Sequence, residues 1–225
     1  MTAVVPSVPA VTAVVAAVLG FGVGHLLNRL AGRFPWSGDD GRGLAVRMPV
    51  VELGTALAFA LVALRFELSW ELPAFLFLAG AGVLLTVIDV RHTLLPNRVT
   101  LPSIGIGAVL LAVAAAAAGN GAPPLLRAVL GAVVLHVVFV ALVLISPRSI
   151  GMGDAKLAAL LGLYLGYLGW EVLLLGTAAG FVVQAVLALV LLATRRIGLR
   201  GELPFGPAML IGAALAIGWS NAGLG

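Results

Sequence analysis

Apolar residues occur along this chain in stretches of about 16 to 22, separated by short polar segments that hold most of the charge. A helix rising 1.5 Å per residue needs about 20 such residues to cross a hydrocarbon layer of roughly 30 Å. The pattern therefore predicts an all-α fold, a polytopic transmembrane bundle of about eight helices. The predicted spans are Val8 to Leu27, Pro49 to Leu64, Leu72 to Ile88, Leu101 to Ala118, Leu125 to Ile145, Ala155 to Leu168, Glu171 to Ala193 and Pro204 to Trp219. Breaker residues agree with these cuts. Asn120-Gly121 and Pro123-Pro124 separate the fourth span from the fifth, Pro147 ends the fifth, and Gly198 and Pro204 bracket the last loop.

Composition strengthens the membrane reading, because 62% of the 225 residues are hydrophobic and only 10% are charged, more apolar sequence than a soluble core of this size needs. Cysteine is absent, which removes disulfides and thiolate zinc sites, and the three histidines are scattered rather than set at ligand spacing. A pI near 10.7 raises the question of nucleic acid. The thirteen cations, however, sit in short clusters between apolar runs and form no single basic face, so membrane lipid is the expected partner and nucleic acid is not.

Assigning alternate loops to one side collects Arg29, Arg33, Arg42, Arg47, Arg91, Arg98, Arg148, Lys156, Arg195, Arg196 and Arg200 together, with only Arg65 and Arg127 opposite. Cytoplasmic loops retain Lys and Arg, so the eleven-cation side is assigned to the cytoplasm of an inner, cytoplasmic membrane, with both termini outside. The first cation, Arg29, follows the first apolar run instead of preceding it, which predicts an anchor and not a removable signal peptide. Gly20-x-x-x-Gly24 and Gly162-x-x-x-Gly166 are read as sites of close helix packing.

Acidic residues next to a span need an explanation, since an ionised aspartate in hydrocarbon costs about 2.5 to 3.5 kcal/mol on insertion scales. Asp39, Asp40, Glu67, Glu71, Glu171 and Glu202 fall in or beside loops and read as solvated charge. Asp89 and Asp154 do not. Asp89 ends the third span ahead of Pro96 and Asn97, while Asp154 follows Gly151-Met-Gly153 and opens the sixth span, where free amides favour an anion. Both map to the cytoplasmic boundary, sixty-five positions apart. Two carboxylates around a shared water supply the acid and base that peptide hydrolysis requires. Gly151 and Gly153, lacking Cβ atoms, would let a substrate backbone or a neighbouring helix approach. Taken singly, Asp154 also reads as an N-cap and Asp89 as an ion-pair partner of Arg91 or Arg98. Lys156 reads as an active-site support, a snorkelling cation or a carboxylate partner, and His92 as a loop residue.

These residues resemble the type IV prepilin peptidases, aspartic proteases with a Gly-x-Gly-Asp motif. Thr86-Val-Ile-Asp89-Val-Arg-His92-Thr-Leu-Leu-Pro96-Asn-Arg-Val-Thr-Leu-Pro102 is similar to the first signature segment, and Gly151-Met-Gly153-Asp154-Ala-Lys156-Leu to the second. Leu203-Pro-Phe205-Gly206-Pro207 resembles the opening of the family's last helix. Upstream, Gly20 to Arg29 and Arg47 to Thr55 resemble the N-terminal region of the long bacterial form.

The resemblance implies a multi-pass inner-membrane endopeptidase whose dyad is Asp89 and Asp154, supported by Gly151, Gly153 and Lys156. It would remove a basic leader, after a glycine, from pilin or pseudopilin precursors at the cytoplasmic face. Residues 1–225 would form one membrane domain, with a reduced methyltransferase-like region at 1–70 and the peptidase core at 71–225. Long-form members carry a four-cysteine zinc loop between the first two helices; here Gly32 to Arg47 is short and cysteine-free, so no zinc is expected. Proteolysis needs no cofactor. Methylation of the new N-terminus with S-adenosylmethionine stays open, with Asn28, Arg47 and Glu52 as its candidate residues, although His25 replaces the family's small polar residue. Two other classes also stay open: a small transporter, against which the central thirds of the spans hold no acid, base or histidine besides His136, and an inactive assembly scaffold.

Overall fold

The computed structural model describes residues 8–34, 43–146, 150–194 and 203–220. Eight helices follow in order: α1 (Val8–Gly32), α2 (Val50–Phe66), α3 (Leu72–His92), α4 (Asn97–Ala117), α5 (Pro123–Ile145), α6 (Met152–Leu168), α7 (Trp170–Ala193) and α8 (Gly206–Trp219). Among the described residues there is no strand. Helices α1, α3, α4, α5 and α7 are long and apolar enough to cross a membrane, while α8 is apolar but only 14 residues long. Large apolar side chains such as Val133, Val137, Val182 and Leu189 point outward from α5 and α7, as lipid-facing surfaces require. The chain is thus an all-helical, multi-pass membrane protein.

Helix ends follow local chemistry more closely than the hydropathy pattern does. α3 runs to His92, one turn beyond the predicted Ile88, because Val90 and Arg91 are compatible with a helix although they end the apolar run. It stops where Thr93 takes φ 48°, a left-handed conformation costly for a β-branched residue. Pro96, extended at φ −72° and ψ 131°, precedes α4 and cannot continue a helix from behind. Pro123 opens α5 and Pro207 lies in the first turn of α8, where a missing N–H costs nothing.

The chain divides into two compact units, residues 1–87 and 88–225. In the first, α1 and α2 pack as a pair. Gly20 lies so close to α2 that a Cβ there would stand 2.8 Å from the Thr55 carbonyl oxygen, and at Gly24 it would stand 2.8 Å from the Glu52 Cα. Ala16, Phe59 and Ala63 form the core of this pair.

In the second unit, α6 is the central helix, buried through most of its length from Ala155 to Tyr167. Glycines set its contact with α5: a Cβ at Gly162 would collide with the Gly131 carbonyl oxygen, and Gly166 closes on the Arg127 carbonyl in the same way. Gly176 and Gly180 of α7 receive α8 at Gly212 and Met209. Backbone cannot yield as a flexible side chain can, so Gly162→Ala should cost about 1–3 kcal/mol of stability. Thermal unfolding in detergent measures this, with Gly105→Ala, which has open space around it, as the neutral comparison.

Candidate active site

Asp89 and Asp154 both belong to the second unit, and they lie close enough for the Asp154 charge to act on Asp89. Their surroundings differ. Asp89 sits in the last turn of α3 and is only 4% exposed. Its Oδ2 accepts a hydrogen bond of 3.1 Å from the backbone N–H of Gly206, the first residue of α8. The amide end of a helix is thereby aimed at a buried carboxylate. Among the described residues Asp89 is held by that amide and not by Arg91 or Arg98, whose side chains are exposed.

Asp154 is half-buried in the first turn of α6. It stands at the third helical position and not at the N-cap, which is Gly151. Its Oδ2 accepts from the Gly151 N–H at 2.8 Å, and its own N–H donates to the Gly151 carbonyl at 3.0 Å. This is the acidic half of a capping box; a glycine has no side chain to return the other half. One oxygen of Asp154 is therefore committed to holding the turn.

The two glycines of the motif differ in what they require. A Cβ on Gly153 would stand 2.9 Å from the Leu95 Cβ, so the missing side chain is what lets the α3–α4 loop lie against α6. A Cβ on Gly151 would make only ordinary contact, 3.6 Å from Asp154 Oδ2. Lys156 donates from Nζ to Asn97 Oδ1 at 2.6 Å, an amide where a carboxylate was one expectation.

Three contributors carry no site role in the sequence reading. Gly206 acts through its backbone, and its neighbour Phe205, stacked on Phe139 at 5.9 Å and tilted against Phe181 at 5.3 Å between centroids, seats it. Asn97, which with Pro96 reads as the end of the cytoplasmic segment after Asp89, is the first residue of α4. His136, the one ionisable side chain in the apolar body of α5, places Nδ1 2.9 Å from the Ala155 carbonyl oxygen, directly after Asp154. Its isolation in an apolar helix was the available signal.

The first unit holds the other expected residues. Asn28 is fully buried and its amide is spent: Nδ2 donates to the Val46 carbonyl at 2.9 Å and to Glu52 Oε1 at 3.1 Å, while Oδ1 accepts the Val46 N–H at 2.8 Å. Glu52 is fully buried as well, with His25 Nδ1 3.3 Å from Oε1 and with Oε2 lacking a partner. Arg47 lies outside this network, its side chain exposed. Asn28→Ala would leave the Val46 N–H without its acceptor and Glu52 Oε1 with His25 alone, so it should cost about 1–3 kcal/mol, read as a lowered unfolding midpoint.

Comparison with known proteins bears on the second unit above all. The type IV leader peptidase family matches residues 75–193, a stretch that contains both aspartates and the Gly-x-Gly-Asp motif. The prepilin leader peptidase/N-methyltransferase of Stutzerimonas stutzeri is 34% identical over 179 residues, covering 79% of this chain and 60% of the relative. The protein of the same name from Pseudomonas aeruginosa is 33% identical over 176 residues, and that from Neisseria gonorrhoeae 32% over 173. The chain spans about 60% of the length of these relatives. No solved structure matches it. With more than half of its length matched, and with the matched part carrying the paired aspartates, the chain belongs to the type IV leader peptidase family.

Proposed function

We propose that this protein is an aspartic endopeptidase that removes the basic leader from type IV prepilin-like precursors, pilins or pseudopilins, with Asp89 and Asp154 as its catalytic pair. One observation carries the reading: carboxylates sixty-five positions apart in sequence lie within electrostatic reach of each other in a chain of this family. Such a pair shares a proton, because two adjacent carboxylates do not both ionise readily. The ionised member takes a proton from water as its oxygen attacks the scissile carbonyl carbon. The protonated member hydrogen-bonds to the carbonyl oxygen and supports its developing charge. As the C–N bond breaks, the proton passes to the leaving amine, and the pair ends with one proton as it began. Gly151 and Gly153 support the turn that carries Asp154, and Lys156 supports it from the next turn.

The excess of cations in one set of loops supports a cytoplasmic-side site in the inner membrane, with both termini outside and eight crossings in all. A basic leader ahead of an apolar helix would wait on that face, where the substrate enters the bilayer.

The names of the relatives join peptidase to N-methyltransferase. Among the described residues around Asn28 and Glu52, Gly20 and Gly24 close on α2 and the Asn28 amide bonds to Val46 and Glu52, while Glu52 Oε2 has no partner. We assign Asn28 and Glu52 to holding the α1–α2 pair and the segment at Val46, and derive no methyl-transfer step. The test is co-expression with a tagged prepilin-like substrate in a host lacking its own peptidase. Mass spectrometry of the substrate's N-terminus should show loss of the leader, and an added methyl mass would reveal transferase activity. Intact substrate across several prepilin-like proteins would overturn the reading.

A further inference from the structure

Something must hold two carboxylates from distant helices at a working separation, and the α3–α4 connection, which follows Asp89 in the chain and packs on the start of α6, reaches from one to the other. That loop leaves Asp89 directly, with the Thr93 N–H donating to the Asp89 carbonyl at 2.7 Å. It then passes through Thr93 at φ 48°, a conformation that persists only where the surroundings over-determine it. Two contacts fasten it and the first residue of α4 to the first turns of α6. Leu95, 7% exposed, lies on Gly153, and Asn97 receives the Lys156 ammonium at 2.6 Å.

Gly153 and Lys156 are three residues apart and share a helix face, so both meet the same loop. The adjoining face carries Asp154 and, three residues on, Leu157, which lies against the Gly206 position that holds Asp89. One strip of α6 thus grips the loop while its neighbour meets the dyad.

We propose that Lys156 and Asn97 form a latch, a pair of positioning residues that fixes the separation of Asp89 and Asp154 without touching substrate. The inference rests on the peptidase reading for its consequence, though not for its geometry. An ammonium donating to a neutral amide ties loop to helix and places no third carboxylate beside the pair. Releasing it frees the strained loop to relax and lets Asp89 drift from Asp154, and a displacement near 1 Å is enough to cost up to about a hundredfold in rate.

The test uses the full chain with Lys156→Met, Asn97→Leu and the double variant. Each single variant should lower kcat about tenfold with KM held within about twofold, and the double variant should be no worse than either, because both remove one interaction. The natural absence of cysteine permits a direct rescue. In the Asn97→Cys/Lys156→Cys variant, a short bifunctional thiol linker should join the two sites and restore most of the lost kcat. Linkage is scored by mass spectrometry in the Asp154→Asn background as well, where no cleavage is needed. A failure to link overturns the latch whatever the enzyme's activity, whereas efficient linkage with inert wild-type protein overturns the peptidase reading alone. Multiplicative loss in the double variant would also overturn the latch, as would an inactive Lys156→Met beside a fully active Asn97→Leu, since Lys156 would then be acting by itself.

Discussion

Asp154→Asn is expected to abolish cleavage of a prepilin-like substrate while the protein still inserts and folds, and Asp89→Asn is expected to do the same. Asparagine preserves the shape of the side chain and keeps one oxygen, which can still accept from the Gly151 N–H at position 154 or from the Gly206 N–H at position 89. The holding hydrogen bonds survive. What is lost is the ability to take a proton from water and return it, a contribution of about 10²- to 10⁴-fold for each general acid or base. Because the aspartates act as a unit, the double variant should be no slower than either single one. Mass spectrometry of the substrate N-terminus measures the loss, and size-exclusion chromatography in detergent shows that the variants remain folded. Cleavage at the wild-type rate by Asp154→Asn would rule out the paired-carboxylate mechanism. Normal filament assembly in cells carrying the double variant would point to the scaffold reading instead.

The sequence made the helices legible and much of the candidate site, for different reasons. Hydrocarbon imposes a length on apolar runs, so the five helices long enough to cross stand out, and breakers such as Asn120-Gly121 and Pro123-Pro124 separate the eight helices found among the described residues. Their ends are less legible, because hydropathy reports the bilayer and not the hydrogen-bond ladder: α3 continues through Asp89 to His92, past the last apolar residue predicted. The aspartates were visible through the cost of charge beside hydrocarbon. The groups that hold them were not. Gly206 contributes a main-chain N–H from 117 positions away, and no side-chain pattern announces that. His136 is a chemical outlier in α5, yet its partner is a backbone carbonyl, which every residue possesses. Gly151 and Gly153 look equivalent in the motif, and only the position of Leu95 distinguishes the one that needs to be glycine.

Gly206→Ala should lower kcat roughly ten- to hundredfold with little change in folding, as the loss of a charge-assisted hydrogen bond worth about 1.5–3 kcal/mol implies. The position does two things at once. Its N–H donates to Asp89 Oδ2 at 3.1 Å, and a Cβ placed there would stand 2.7 Å from the same oxygen. Alanine suits a helix at this point, so the strain falls on the contact and not on the backbone. The main chain has little room to retreat, since Phe205 packs on Phe139 and Phe181 and Pro207 restricts the next φ. The carboxylate must therefore turn away from its donor. At 4% exposure Asp89 has little access to solvent that could replace the bond. Its altered aim would leave substrate binding largely intact and disturb the proton transfers, so the change belongs in kcat and not in KM. Gly105→Ala, where a Cβ meets open space, supplies the comparison for a glycine replaced in the same unit. Full activity in Gly206→Ala would mean that Asp89 finds its working orientation without the α8 amide, and the helix terminus would then be only a packing neighbour of the pair.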